Sequence, residues 1–290
     1  MFTGAMVALI TPFQDGEIDF QTLEELIDFQ LNNGIDAIVP VGTTGESPTL
    51  SHDEHKQLIE RIVEVVDGQV PVIAGAGSNS TAEAIELTAF AKKVGADATL
   101  QVTPYYNKPT QEGFYQHFKA IAEEVDLPVV LYNIPGRCGA GMTPDTIARL
   151  AEVENIVAIK EATGSLDQAS EIAIQCDITI ISGDDSLTLP LASVGGKGVI
   201  SVAANIVPTD VKAMTDLILE GDFASARQWH KKLFTLCKNM LTLATNPIPI
   251  KAAMAMLNMA PEELRLPMTP LEENKKAILK QTLRDYGLLE

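Results

Sequence analysis

Asn155-Ile156-Val157-Ala158-Ile159-Lys160-Glu161-Ala162-Thr163-Gly164 sets four apolar residues, three of them β-branched, directly before a lysine and closes on a polar Thr-Gly turn. An apolar β-branched run this short, bounded by turn signals, reads as a strand buried on both faces, as in a parallel sheet. An ammonium ion at the closing end of such a strand costs several kcal/mol unless it is paired. From these residues alone two readings stay open. Either Lys160 snorkels to solvent or pairs with Glu161, or the position wants an amine of depressed pKa that attacks a carbonyl and forms a Schiff base. The other strand ends decide between them.

Working outward, short apolar runs alternate with amphipathic segments almost throughout. Strands are expected over Ala5–Thr11, Ala37–Val41, Val70–Ala74, Ala98–Val102, Pro128–Asn133, Ile156–Lys160, Ile178–Ser182 and Gly198–Ser201, with Pro12 to Gly16 as a turn. Apolar residues at helical spacing predict helices over 20–32, from Ser51 to about Val66, and over 81–94, 111–125, 143–151, 166–175 and 208–220, with another running to Val194. Ser51 with Glu54 three residues on forms a capping box. Eight strand–helix units predict a closed (β/α)8 TIM barrel. The alternative, an open doubly wound sheet, usually has fewer strands and a glycine-rich first turn. From Phe223 the pattern is purely helical (223–243, 248–257, 270–286). The chain is therefore expected to divide into a barrel over 1–222 and a C-terminal helical appendage over 223–290.

The 290 residues are 46% hydrophobic and 21% charged, ordinary for a globular core. Acidic residues outnumber basic ones, 39 against 21, for a net charge of −18. That surplus argues against nucleic acid or an anionic membrane as a partner, and an anionic substrate would need a local positive site. Cys138, Cys176 and Cys237 are far apart and odd in number, which suggests no disulfide or zinc framework and fits a reducing cytoplasm. No signal-peptide pattern and no apolar run of membrane-spanning length is evident.

On a barrel, chemistry collects just after the strands, at their C-terminal ends. Those positions carry Thr43 and Thr44, Tyr105 and Tyr106, Tyr132 and Arg137, Lys160 and Gly183, with Ile200 in the last strand. Three of the five tyrosines fall on this face. Singly, each has a bland alternative: a core ring, a tight turn, a surface charge. Together they suit an imine-forming site. An amine nucleophile needs a proton shuttle near its carbinolamine, and a phenol relayed through a hydroxyl supplies one, as Tyr132 and Thr44 would. Backbone N–H groups of the Gly42-Thr43-Thr44-Gly45 turn suit the carboxylate of a keto acid, and the Arg137 guanidinium suits that of a second anionic reactant.

Gly42-Thr43-Thr44-Gly45-Glu46, Thr103-Pro104-Tyr105-Tyr106-Asn107, Tyr132-Asn133-Ile134-Pro135-Gly136-Arg137 and Ile159-Lys160-Glu161-Ala162-Thr163-Gly164 resemble the motifs of the dihydrodipicolinate synthases. These are the lysine-pathway members of the class I pyruvate aldolase and lyase superfamily. The likeness runs from Met1-Phe2-Thr3-Gly4 to Leu266-Pro267-Met268-Thr269-Pro270. It implies condensation of pyruvate with L-aspartate 4-semialdehyde, without metal or cofactor, in the diaminopimelate route to lysine. Lys160 would form the Schiff base, Tyr132 act as general acid/base and Thr44 as its relay, with Tyr106 completing the relay from a neighbouring subunit. Thr43 would help hold pyruvate, Arg137 bind the semialdehyde carboxylate, and Gly183 and Ile200 line the pocket. The resemblance further implies a homotetramer, a dimer of tight dimers. It also implies feedback by lysine at Ser47, His52, His55, Asn79, Glu83 and Tyr105, with Pro48 standing where a small residue is common.

Sister enzymes with the same barrel and lysine, N-acetylneuraminate lyase and the keto-deoxy sugar acid aldolases, handle polyhydroxylated aldehydes. Arg137 and the tyrosine pair point away from them. A metal-dependent barrel built on His52 and His55 lacks a sensibly spaced third ligand. Gly75-Ala76-Gly77 lacks the third glycine of a dinucleotide fingerprint. A non-enzymatic binding barrel would leave Lys160, Tyr132 and Thr44 without a joint purpose.

Overall fold

Parallel strands close into a ring with helices outside it. The computed structural model describes residues 2–290. In chain order the elements are β1 (Gly4–Ala8), a hairpin of β2 (Phe13–Gln14) and β3 (Glu17–Ile18), α1 (Phe20–Asn32), β4 (Ala37–Val39), α2 (His52–Val66), β5 (Ile73–Gly75), α3 (Thr81–Val94), β6 (Ala98–Val102), α4 (Gln111–Glu124) and β7 (Val129–Asn133). They continue with α5 (Pro135–Cys138), α6 (Pro144–Ala151), β8 (Ile156–Glu161), α7 (Leu166–Gln175), β9 (Thr179–Ser182), α8 (Thr188–Ala192), β10 (Gly198–Ser201) and α9 (Pro208–Glu220), then α10 (Phe223–Thr242), α11 (Ile248–Met256) and α12 (Glu273–Tyr286).

The eight-stranded sheet runs β4-β1-β10-β9-β8-β7-β6-β5. Its two ends meet through a parallel bridge between Ile38 and Val72, which closes the (β/α)8 barrel. Met6, Val39, Ile73, Val130, Ala158, Ile181 and Ile200 fill the interior, while larger apolar clusters seal strands to helices outside. The alternation that predicted the ring has this cause: every barrel strand is covered on both faces. The Ser51–Glu54 capping box forms, with both reciprocal bonds present. None of the helices among the described residues is long and apolar enough to cross a membrane.

The structure corrects several boundaries. β1 ends at Ala8, not Thr11: Leu9 still donates to the Val39 carbonyl at 3.1 Å, but the Ile10 N–H turns to Asn205 Oδ1 at 3.2 Å. β4 stops at Val39, short of Val41, which sits at φ +54°. β5 begins at Ile73 rather than Val70, since Pro71 has no N–H for the ladder. The 12–16 turn is the tip of the β2–β3 hairpin, where Asp15 and Gly16 both take positive φ, as a two-residue hairpin turn requires. The expected loop after β7 begins with the short helix α5.

Candidate active site

Lys160 and Tyr132 face each other across paired strands, with Tyr132 of β7 in register with Lys160 of β8. Both are buried, and the lysine nitrogen lies 4.4 Å from the centre of the tyrosine ring. Burial brings the Lys160 pKa down to about 8. Asp185 and Asp184 pull it back up through space, and the Arg137 charge adds to the lowering. An amine held there is uncharged in a useful fraction of molecules near neutrality, as a nucleophile must be. Gly183 makes room for it: a Cβ at that position would meet the Ala162 Cβ at 2.5 Å and the Lys160 Cε at 3.2 Å.

A cavity of about 510 Å³ opens above the barrel, lined by Thr43, Thr44, Tyr132, Arg137, Lys160, Gly183 and Asp184, with Leu241, Thr245 and Asn246 from the C-terminal region. Burial pushes the Tyr132 phenol up to about 12, against the lowering effects of Arg137 and a hydrogen bond with Thr43. It therefore stays protonated, ready to donate. Of the two threonines, Thr43 is the one that lowers the pKa of this phenol, whereas Thr44 Oγ1 accepts from Asn246 Nδ2 at 3.0 Å. Arg137 rides on α5 and donates from Nη2 to the Asn246 carbonyl at 3.0 Å. Asn133, at the end of β7, ties the segment after α5 back by exchanging hydrogen bonds with the Met142 backbone at 3.0 and 3.1 Å. Asp185 is consumed by Ser201 and the Val202 N–H, so Asp184 is the acid facing the cavity.

Two expected residues stand apart. Ile200 is fully buried in the barrel interior and does not line this cavity. Tyr106 is 90% exposed at φ +73° and lines neither this cavity nor its neighbour. Within one chain it does not approach Lys160.

Ser47 and Tyr105 line a second, more apolar cavity of about 240 Å³, which shares Thr43, Tyr132 and Arg137 with the first. Beside it His52 Nε2 pairs with Glu83 Oε1 at 2.7 Å, and Ser78 donates to the other Glu83 oxygen. Asn79 Nδ2 donates to the Tyr105 carbonyl at 3.1 Å. His55 is buried with Nε2 2.7 Å from the Gly75 carbonyl, and burial lowers its pKa. That geometry suits a neutral ring donating to the carbonyl, which ties α2 to β5. Among the described residues no three His, Cys, Asp or Glu side chains gather in a way that would hold a metal ion.

Sequence reasoning missed Asn246, which touches both Thr44 and Arg137, and Asp184, which lines the cavity. Asn246 lies beyond the last strand, where strand-end reasoning does not look. Asp184 directly follows Gly183 and was open to the same argument.

A TIM barrel with a desolvated lysine beside a phenol at the C-terminal ends of its strands defines an enzyme of the class I, Schiff-base lyase type. The chain belongs to the dihydrodipicolinate synthetase family, whose model matches residues 1–286. It is 54% identical over its whole length, and over all of the relative's, to the 4-hydroxy-tetrahydrodipicolinate synthase of Pelobacter propionicus. It superposes with a TM-score of 0.97, at 44% identity and over all of both chains, on the chloride-inhibited dihydrodipicolinate synthase of Acinetobacter baumannii complexed with pyruvate. For the Cyanidioschyzon merolae enzyme with lysine bound, the TM-score is 0.95 at 43% identity over 99% of each chain.

Proposed function

We propose that the chain condenses pyruvate with L-aspartate 4-semialdehyde to 4-hydroxy-tetrahydrodipicolinate. The observation that carries this reading is the unpaired, buried Lys160, its pKa brought down to about 8 beside a protonated Tyr132. The uncharged amine attacks the pyruvate ketone, and the carbinolamine loses water to give the imine. Tyr132 donates the proton that makes hydroxide leave as water, with the Thr44 hydroxyl relaying it. Loss of a methyl proton gives an enamine, whose carbon attacks the aldehyde of the second substrate. The amine of that substrate then adds to the imine carbon, closes the ring and expels Lys160. Arg137 at the mouth of the cavity holds the semialdehyde carboxylate, and Thr43 helps hold that of pyruvate.

Tyr106 completes the relay from a neighbouring subunit in a homotetramer of tight dimers, which accounts for an exposed tyrosine held in a left-handed conformation. Lysine binds among Ser47, His52, His55, Asn79, Glu83 and Tyr105 as an inhibitor. Two features support this: Ser47 and Tyr105 share a cavity wall with Tyr132, and Glu83 offers a carboxylate to an ammonium group. Partial inhibition by lysine that disappears in Glu83→Ala is the expected result, and indifference of the unmodified protein to millimolar lysine discards the site. We place the enzyme in the cytoplasm and treat residues 1–222 and 223–290 as barrel and appendage.

The decisive experiment is borohydride reduction in the presence of pyruvate, with mass mapping of the labelled peptide. A label on Lys160 is expected. A label on Lys197 or Lys251 instead, or none, refutes the proposed chemistry.

A further inference from the structure

The loop carrying Thr43 and Thr44 is bounded by two non-glycine residues with left-handed backbone, Val41 and Glu46, both at φ +54°. For a β-branched residue such as Val41 that conformation is a true outlier, and it persists only where the surroundings over-determine it. Part of the restraint comes from the barrel: Thr11 Oγ1 donates to the Gly45 carbonyl at 2.7 Å. The rest comes from the other end of the chain. Glu46, 3% exposed, forms an ion pair with Lys251 of α11, whose side chain is fully buried. The Arg265 N–H donates to the same carboxylate at 3.1 Å, and Lys251 also donates to the Glu263 carbonyl at 2.8 Å. Phe13 lies against both cations, 4.2 Å from the Lys251 nitrogen and 4.4 Å from the Arg265 guanidinium carbon.

None of these groups reaches the cavity that holds Lys160. Two charges this deep are costly to keep, and a well-packed neutral pair serves stability as well or better. Resting on the proposed function, we infer that Glu46 and Lys251 are positioning residues: their buried ion pair lets the C-terminal region hold the Thr43–Thr44 loop in register with Tyr132. Asn246, two residues before α11, reaches Thr44 directly, so α11 and the segment leading into it grip the loop at two points.

The test compares Glu46→Gln, Lys251→Met and the double variant in the intact protein. Three readouts are needed: thermal midpoint, end-point labelling of Lys160 by pyruvate and borohydride, and turnover per labelled site. Each single change strands one buried charge and lowers the midpoint, and the double change restores it. Turnover per labelled site falls about a hundredfold, the scale of a misplaced catalytic group, and stays low in the double variant, with the KM for pyruvate changed only a few-fold. Should the single variants fail to fold, the neutral double variant carries the comparison. If turnover per labelled site returns to the unmodified level in the double variant, the pair serves stability alone and the inference falls. If the unmodified protein takes no label at Lys160, the proposed function falls and takes this inference with it.

Discussion

Two lysines are buried among the described residues, and they have opposite surroundings. Lys160 closes a barrel strand and meets only a tyrosine ring at short range, with its acidic neighbours acting through space. Lys251 sits on an apolar helix against Glu46, the Glu263 carbonyl and the Phe13 ring. Burial lowers both pKa values. Burial alone therefore does not make a nucleophile. Withholding the counter-charge does, because an amine committed to a carboxylate has neither the lone pair nor the freedom to attack a ketone.

The largest effects come from replacing each lysine by methionine, which keeps the bulk and removes the charge. Lys160→Met should abolish pyruvate labelling and cut condensation by about a thousandfold or more. Lys251→Met should still take the label, though at reduced turnover. Stability should move in opposite directions. Lys160 has a folded-state pKa of about 8 against an ordinary 10.5, so below pH 8 its protonated form costs up to about 3 kcal/mol. Removing it should raise the thermal midpoint at pH 7. Removing Lys251 leaves the Glu46 carboxylate buried without a counter-charge, held only by the Arg265 N–H, a loss of about 3–5 kcal/mol. Calorimetry of both variants checks the signs, and a fall in both would break the contrast.

A smaller effect separates the two substrates. Arg137 touches the Asn246 carbonyl and the cavity but lies outside the barrel interior. Arg137→Ala should weaken use of the semialdehyde by about 2–3 kcal/mol, one charge-assisted carboxylate contact, and leave Lys160 labelling nearly intact. Steady-state kinetics with each substrate varied in turn reads this. An equal loss for pyruvate would move Arg137 to the first substrate or to the fold.

The contrast between the lysines also marks what the chain discloses on inspection. Lys160 was legible because an apolar β-branched run makes a lysine conspicuous, and the strand-end rule then gathers Thr43, Thr44, Tyr132 and Gly183 around it. Helices α3 and α9 and strands β6 and β10 fall on the expected residues because periodicity and turn signals there are unbroken. Lys251 was not legible: in Ile248-Pro249-Ile250-Lys251-Ala252-Ala253 it reads as the polar face of a helix, and its partner Glu46 lies in the other half of the chain. Pairing at such separation leaves no local trace. The same holds for Asn246 on Thr44 and for Asn205, whose side chain takes over where β1 leaves the ladder. Tyr106 was legible as a motif residue, but one chain gives it nothing to act on.

The finest prediction concerns the charges that act on Lys160 from a distance. Asp185 raises its pKa most and Asp184 next, while Arg137 lowers it. Asp185 is bonded to Ser201 and Val202 and cannot be changed without disturbing β10. Asp184 lines the cavity and is free to be tested. Removing a negative charge makes the ammonium form less favourable, so Asp184→Asn should shift the rising limb of the pH dependence of pyruvate labelling to lower pH. Arg137→Ala removes a positive charge and should shift it to higher pH. Labelling uses pyruvate alone, which separates these shifts from any effect on the semialdehyde. At pH 7 the rate changes only a few-fold, because both charges lie beside a cavity open to water, where screening is strong. The limb reports the neutral fraction of Lys160 and should level off above about pH 8. Below that plateau the two variants must part in opposite directions. A shift of both limbs the same way would mean that the amine responds to the packing of the cavity rather than to its charges, and the electrostatic account of Lys160 would be lost.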